Sequence, residues 1–177
     1  MAVQLRHWRE SDAAEFSEAV RDSLEELRPW MPWVAGEPKT VEQRAELIRE
    51  WERRREAGGD EPFGIFVDGV VAGSCGLHAR VGEGGLEIGY WVRTSLTGRG
   101  VATEASRLLC AVAFADPAID HVEIHHDRAN KASGRVPAKL GFELVAENRN
   151  APEAPGEEGV ERVWRLTRAA WERSRAP

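Results

Sequence analysis

Residues 86–103, LEIGYWVRTSLTGRGVAT, constrain this chain more than any other stretch: an apolar run, a polar turn, then a Gly-x-Gly leading into a helix. Residues 86–92 alternate and are rich in aromatic and β-branched side chains, which predicts a strand. Val101, Ala105, Leu108, Leu109 and Val112 then follow helical spacing. A turn from a strand end into a helix start leaves several backbone N–H groups unpaired at the positive end of the helix dipole. Such a turn is an anion site, and Gly98 and Gly100, lacking Cβ, let the backbone approach a phosphate and take positive φ.

Two common phosphate-binding loops fail here on residue grounds. The nucleotide-triphosphatase loop requires a Lys after its last Gly, and Val101 follows Gly100. The dinucleotide fingerprint has its third Gly where this chain has Thr103, and the remaining residues supply too few βα units for a doubly wound sheet.

Composition narrows the partners. At 177 residues and 42% hydrophobic content the chain is sized for one domain, 1–177, with a substantial core. Net charge is −6 and no Lys/Arg run is long enough to track a phosphate backbone, so nucleic acid is not expected and a basic amine suits better. Cys75 and Cys110 do not form a metal-ligand spacing. No signal-peptide region and no run of about 18 apolar residues is seen. The expectation is a cytoplasmic chain with reduced thiols, no membrane contact and no metal. The one biased segment, residues 150–159, reads as a solvated acidic loop.

In chain order, residues 3–8 form a short strand candidate, and Asp12 with Glu15 resembles a capping box opening a helix, or a broken pair, to Arg28. Pro29-Trp30-Met31-Pro32-Trp33 sets aromatics between helix breakers, either folded onto the core or lining a pocket. Thr40 with Gln43 caps a helix to Arg55. Residues 63–67 and 70–79 flank Asp68-Gly69, a strong hairpin signal. Residues 121–126 form a strand after the helix, so strand, helix and strand make a right-handed parallel unit. Residues 142–146 and 160–166 close the sheet as an antiparallel pair, followed by a helix over 167–173.

Four segments in this order, LEIGYWV, LTGRGVATEA, Asn130-Lys131-Ala132-Ser133 and Lys139-Leu140-Gly141-Phe142, resemble the GCN5-related N-acetyltransferases. The family's acetyl-coenzyme A loop, [Q/R]-x-x-G-x-[G/A], fits Gly100 and Ala102; Thr97 departs from its first position, which varies among Rim-type members. LRHWRESDAAEF and LRPWMPW further resemble the Rim-type ribosomal-protein N-terminal acetyltransferases. The resemblance implies an α/β (α+β) fold: a mixed, mostly antiparallel twisted sheet with a central parallel strand pair and helices on both faces. It also implies acetyl-coenzyme A as cosubstrate and direct attack by a primary amine in a ternary complex. The acceptor is a protein N-terminal amine or a small-molecule amine, with a non-catalytic acyl-coenzyme A sensor as a reading of another class. The outer strands and last helix leave a homodimer open.

The resemblance places the backbone of Tyr90, Trp91 and Val92 against pantetheine and the amides of Gly98, Gly100, Val101, Ala102 and Thr103 against pyrophosphate. Arg99 is exposed nearby and Asn130 bonds the pantetheine arm or caps a helix. Glu87 is the expected base, since a charge amid LEIGYW needs a reason; its alternative is a structural ion pair. Glu104 is its rival, with a helix dipole to complement instead. Ser133, or Tyr90, is the expected proton donor to the thiolate. Strict alternation sets Glu87 and Tyr90 on opposite strand faces, so a bulge at Gly89 is expected, in keeping with the family's splayed strands. Trp30, Met31, Trp33, Glu87 and His125 are candidates for substrate contact. His78, His121 and His126 read as structural, with His126 a second choice for substrate. Cys75 reads as a buried thiol, its alternative being an acetyl carrier. Pro137 should remove a helical bond to the Ser133 carbonyl and so orient Ser133.

Overall fold

The computed structural model describes residues 1–175. Its strands are β1 (Val3–His7), β2 (Glu61–Val67), β3 (Val70–His78), β4 (Gly85–Val92), β5 (His121–Asp127), β6 (Glu143–Arg149) and β7 (Val160–Thr167). The helices are α1 (Ala13–Arg21), α2 (Leu24–Leu27), α3 (Val41–Glu56), α4 (Val101–Ala113), α5 (Lys131–Lys139) and α6 (Arg168–Ser174). One sheet runs β1-β2-β3-β4-β5-β7-β6, antiparallel except for the β4–β5 pair at its centre. The mixed sheet with a central parallel pair is the architecture expected from sequence.

Alternation along the strands sorts the core into two layers. Ile65, Ile88, Val122 and Ile124 pack with Val101, Ala105 and Leu109 of α4. Trp8, Phe66, Val71 and Trp91 pack on the other side with Phe16 and Val20 of α1 and Ile48 of α3. Each face of the sheet is thereby covered by helices. The hairpin between β2 and β3 turns at Asp68 (φ 50°) and Gly69 (φ 87°), the two positive angles of a type I′ turn.

Local expectations divide instructively. Thr40 and Gln43 form the full reciprocal box: Thr40 Oγ1 accepts from the Gln43 N–H at 3.2 Å and Gln43 Oε1 accepts from the Thr40 N–H at 2.9 Å. Asp12 does not cap α1 with its side chain. Its carboxylate instead accepts from Arg6 on β1 at 2.7 and 2.9 Å and from the Arg9 N–H at 2.8 Å, while Glu15 accepts from the Val71 N–H at 2.8 Å. A charge-assisted bidentate pair outcompetes a cap bond. The expected bulge at Gly89 is also absent, because β4 pairs with β3 without a shift from Glu87–His78 to Val92–Gly73. The register shift lies between β2 and β3, at Ile65/Phe66.

What opens the sheet is the end of pairing between β4 and β5. The two strands bond only over residues 85–87 and 121–123, after which β4 stays with β3 up to Val92 and β5 stays with β7 up to Asp127. Tyr90, Trp91 and Val92 therefore border a gap, and their strand has no partner on that edge.

Candidate functional site

The gap leads into a cavity of about 720 Å³. Trp30, Met31 and Trp33 form one wall, Glu87, Gly89, Tyr90 and Trp91 the floor, and His125, Asn130 and Ser133 the opposite side. Splay, rather than a bulge, is what lets side chains from both faces of β4 reach one space. The connection at residues 29–33 thus serves both of its expected alternatives. Met31 packs on the core beneath α1 and α3, while Trp33 is 39% exposed and tilts over Trp91 with ring centroids 6.0 Å apart.

Beyond Val92 the chain makes one 3₁₀ turn at Thr94–Leu96 and enters α4 through Gly98 (φ 73°) and Gly100 (φ 83°). Both glycines take the left-handed conformation anticipated for the loop. The first bond of α4 runs from the Glu104 N–H to the Gly100 carbonyl at 2.9 Å, so the amides of Val101, Ala102 and Thr103 precede its ladder. Apart from the glycine and its chain neighbours, no atom of the described residues lies within 4 Å of where a Cβ on Gly98 or Gly100 would sit, so the space in front of the loop is open. Exposed Arg99 stands beside it. These amides, the dipole of a 13-residue helix and a flanking guanidinium fit a pyrophosphate. Glu104 is engaged by Arg107 at 2.6 Å, which lowers its pKa by hydrogen bonding, so it performs the structural role of a first-turn carboxylate.

Asn130 caps α5, its Oδ1 accepting from the Ser133 N–H at 3.1 Å. The Tyr90 hydroxyl lies 3.1 Å from the Ser133 carbonyl oxygen and 3.0 Å from Ser133 Oγ. A carbonyl only accepts, so the Tyr90 proton goes there and Ser133 donates its own hydroxyl proton to Tyr90. Pro137 explains why that carbonyl is free. A residue with an N–H at 137 would bond it four residues back, and proline cannot. The oddity at Pro137 thus supplies an acceptor to Tyr90 as well as affecting the helix. Burial pushes the Tyr90 phenol up to about 12, countered in part by its Ser133 bond, so it holds its proton at neutral pH.

Glu87 is 8% exposed and lies at the far end of the floor. Arg80, just past β3, donates to both its oxygens at 2.7 and 2.6 Å. This is the ion pair named as the alternative, formed at a place where Glu87 still faces the cavity. His125 and His126 point to opposite faces, as alternation requires. His126 donates from Nδ1 to the Asp127 carbonyl at 2.7 Å and accepts at Nε2 from the Trp164 indole at 2.9 Å. Burial depresses its pKa, so it stays neutral against Gly134 of α5. His78 pairs with Asp60 at 2.7 Å, and His121 with Asp120. Cys75 also borders the cavity but is 5% exposed, and burial pushes its thiol far up. Cys110, buried on the inner face of α4, is pushed up to about 12 by the same cause.

Sequence reasoning missed four residues. Glu37 and Arg44 form an ion pair at 2.8 Å in the cavity wall, each side chain only 2% exposed. Glu161 on β7 reaches the cavity beside His125, and Glu123 lies directly beneath it. No local spacing announces them, since Glu37 lies outside α3 on extended backbone and Glu123 and Glu161 reach His125 only through strand register.

A family model described as Acetyltransferase (GNAT) domain matches residues 3–143. A Bacillus subtilis (strain 168) protein named "Putative ribosomal N-acetyltransferase YdaF" is 27% identical over 142 residues, 79% of this chain and 77% of that one. Mycobacterium smegmatis RimJ, solved in complex with CoA-disulfide, matches with a TM-score of 0.82 at 25% identity, over 97% of this chain and 87% of that one. RimL, a ribosomal L7/L12 alpha-N-protein acetyltransferase in complex with coenzyme A, shares the fold with a TM-score of 0.86 at 19% identity, over 96% of each chain.

Proposed function

Because the chain belongs to the GNAT acetyltransferase family and is an N-acetyltransferase, we propose that it moves acetyl from acetyl-coenzyme A to the N-terminal amine of a protein, ribosomal proteins foremost, by direct attack in a ternary complex. The observation that carries this reading is the alignment of three parts along one line. An anion seat at residues 98–103 is followed by the partnerless edge of Tyr90 to Val92, then by a cavity whose far end is acidic. A thioester lying along that line presents its acetyl group between Ser133 on one side and Glu87 on the other.

When bound, acetyl-coenzyme A supplies the activated acyl group; the chain's own residues place it and move protons. The amides of Gly98, Gly100, Val101, Ala102 and Thr103, with Arg99, hold the pyrophosphate. The free edge at Tyr90, Trp91 and Val92 and the side chain of Asn130 hold the pantetheine arm. Ser133 gives the leaving sulfur a proton, and Tyr90, anchored on the Ser133 carbonyl, fixes where that hydroxyl stands. Trp30, Met31 and Trp33 exclude water from the acceptor side, and Glu87 with His125 draws the ammonium of the acceptor inward. An acceptor amine titrates near ~8 to ~10.4, so it arrives charged and needs both a carboxylate and a proton acceptor. The whole chain acts as one catalytic domain in the cytoplasm.

Thiol release from acetyl-coenzyme A, followed against peptides of varied N-terminal residue and a set of small polyfunctional amines, tests the proposal. Peptide-dependent release, with one acetyl group gained at the peptide N-terminus, is expected, and Ser133→Ala should lower kcat by about 10²-fold. Release with small amines alone would replace the protein acceptor by a metabolite or antibiotic. Tight binding without amine-dependent release would leave a non-catalytic acyl-coenzyme A sensor.

A further inference from the structure

The opening between β4 and β5 holds more acid than the transfer outlined above uses. Glu123 on β5 is 3% exposed. Its Oε1 accepts from Arg165 Nε and Nη2 at 2.8 and 2.5 Å, and its Oε2 lies 2.6 Å from His125 Nε2. Burial pushes the Glu123 pKa up, but His125 and Arg165 together hold it below the usual carboxylate range. An ionised carboxylate only accepts, so Nε2 of a neutral His125 carries the ring proton. Nδ1 is left with its lone pair.

That lone pair looks into the cavity. Glu161 Oε1 on β7 is 3.4 Å from Nδ1 and Glu87 Oε2 on β4 is 4.0 Å from it. The other charged groups around the pair are already committed: Arg80 to Glu87, Arg165 to Glu123, and His121 Nε2, 3.9 Å from Glu123 Oε1, is held through its Nδ1 by Asp120. A lone pair flanked by two carboxylates suits a cation that can donate hydrogen bonds. Glu87 itself gives both oxygens to Arg80, whereas His125 Nδ1 makes no hydrogen bond among the described residues.

We propose that His125 is the general base of the transfer and Glu123 the residue that positions it, with Glu87 and Glu161 holding the entering ammonium in reach of Nδ1. The assignment rests on the reading of the site as an amine acetyltransferase and names the group that reading left open. The ammonium gives one proton to Nδ1, and the freed lone pair forms the C–N bond to the acetyl carbon as the C–S bond breaks. Ser133 protonates the sulfur, the nitrogen's second proton restores the Ser133–Tyr90 pair, and the imidazolium loses its proton to solvent. One proton is released for each amide formed. The substrate class follows as a primary amine that arrives protonated; a neutral alcohol offers Glu161 and Glu87 no charge to hold.

With the best amine of the panel, His125→Ala should lower kcat by ~10²–10⁴-fold, the usual contribution of a general base, while the KM for acetyl-coenzyme A stays within a few-fold. Added imidazole should restore part of the lost rate. Retention of wild-type kcat in both His125→Ala and the space-conserving His125→Gln, each with a wild-type thermal melt, would overturn the assignment. Nitrogen-15 NMR of the wild-type protein gives an independent readout that needs no substrate. The neutral His125 ring should be protonated at Nε2, and Glu123→Gln should erase that preference; a wild-type ring protonated at Nδ1 would overturn the dyad. If no amine supports thiol release, the acetyltransferase reading of the site falls, and the ring tautomer still decides whether the dyad exists.

Discussion

Glu37→Ala should lower the stability of the protein by about 3–5 kcal/mol, the loss typical of removing one partner from a buried ion pair. At roughly 2–4 °C per kcal/mol for a chain of this size, the melting temperature should drop by on the order of 10 °C. The cause is what remains behind. Both side chains are 2% exposed, and both Glu37 oxygens accept from Arg44 Nη2 at 2.8 Å. The guanidinium also lies 4.4 Å above the Phe16 ring, and its Nε has no hydrogen-bond partner among the described residues. Without Glu37 the charge of Arg44 is left buried against the Phe16 ring with no carboxylate to balance it. The double variant Glu37→Leu/Arg44→Met should recover most of the loss, because an apolar pair of similar volume carries no desolvation cost. Denaturant melts of the three proteins check this. A Glu37→Ala protein as stable as wild type would show that the pair is not buried in solution. Because the pair lines the cavity, single variants should also lose acceptor affinity when assayed well below their melting temperature.

Gly100→Val should raise the Kd for acetyl-coenzyme A by ~10–100-fold, with kcat at saturation within a few-fold of wild type. Gly100 sits at φ 83° as the residue before α4, where a β-branched residue is a conformational outlier costing ~1–3 kcal/mol. The chain would relieve that strain by turning the amides of residues 98–103 away from the anion, and each 1.4 kcal/mol lost is about tenfold in affinity. Ser133, Tyr90 and His125 stand on other elements, so the chemical step should be spared once the site is filled. Calorimetric titration distinguishes the outcomes. Unchanged affinity would mean that the pyrophosphate lies elsewhere.

What was legible in sequence was local. The hairpin at Asp68-Gly69, the Thr40–Gln43 box, the Asn130–Ser133 cap and the positive φ of Gly98 and Gly100 each follow from residues within a few positions of one another. Alternation also placed His125 and His126 on opposite faces. Where a distant partner intervenes, local reading fails. Asp12 belongs to Arg6 on β1 rather than to the helix it precedes, a choice that depends on a guanidinium delivered by another element. A bulge at Gly89 would bring Glu87 and Tyr90 into one site, but the sheet achieves the same end by parting β4 from β5 after Glu87. Pro137 on its own implies a freed Ser133 carbonyl, but only the fold shows that Tyr90, 43 residues away, takes it. Arg165 reaches Glu123 across 42 residues and the Glu123–His125 pair acquires meaning only from Glu87 and Glu161 on neighbouring strands. Register, not spacing, assembles that end of the site.

Direct transfer requires one cavity residue to stay silent. Cys75 borders the cavity proposed to receive the acetyl group, yet it is 5% exposed with its thiol pushed far up by burial, so the thiolate needed to accept an acetyl group is absent at neutral pH. The most direct test is the initial rate of thiol release with acetyl-coenzyme A and the best amine of the panel varied together. Attack by the amine within a ternary complex predicts double-reciprocal lines that intersect, and the same pattern in Cys75→Ala. Parallel lines, with acetylated protein accumulating before the amine is added, would contradict it.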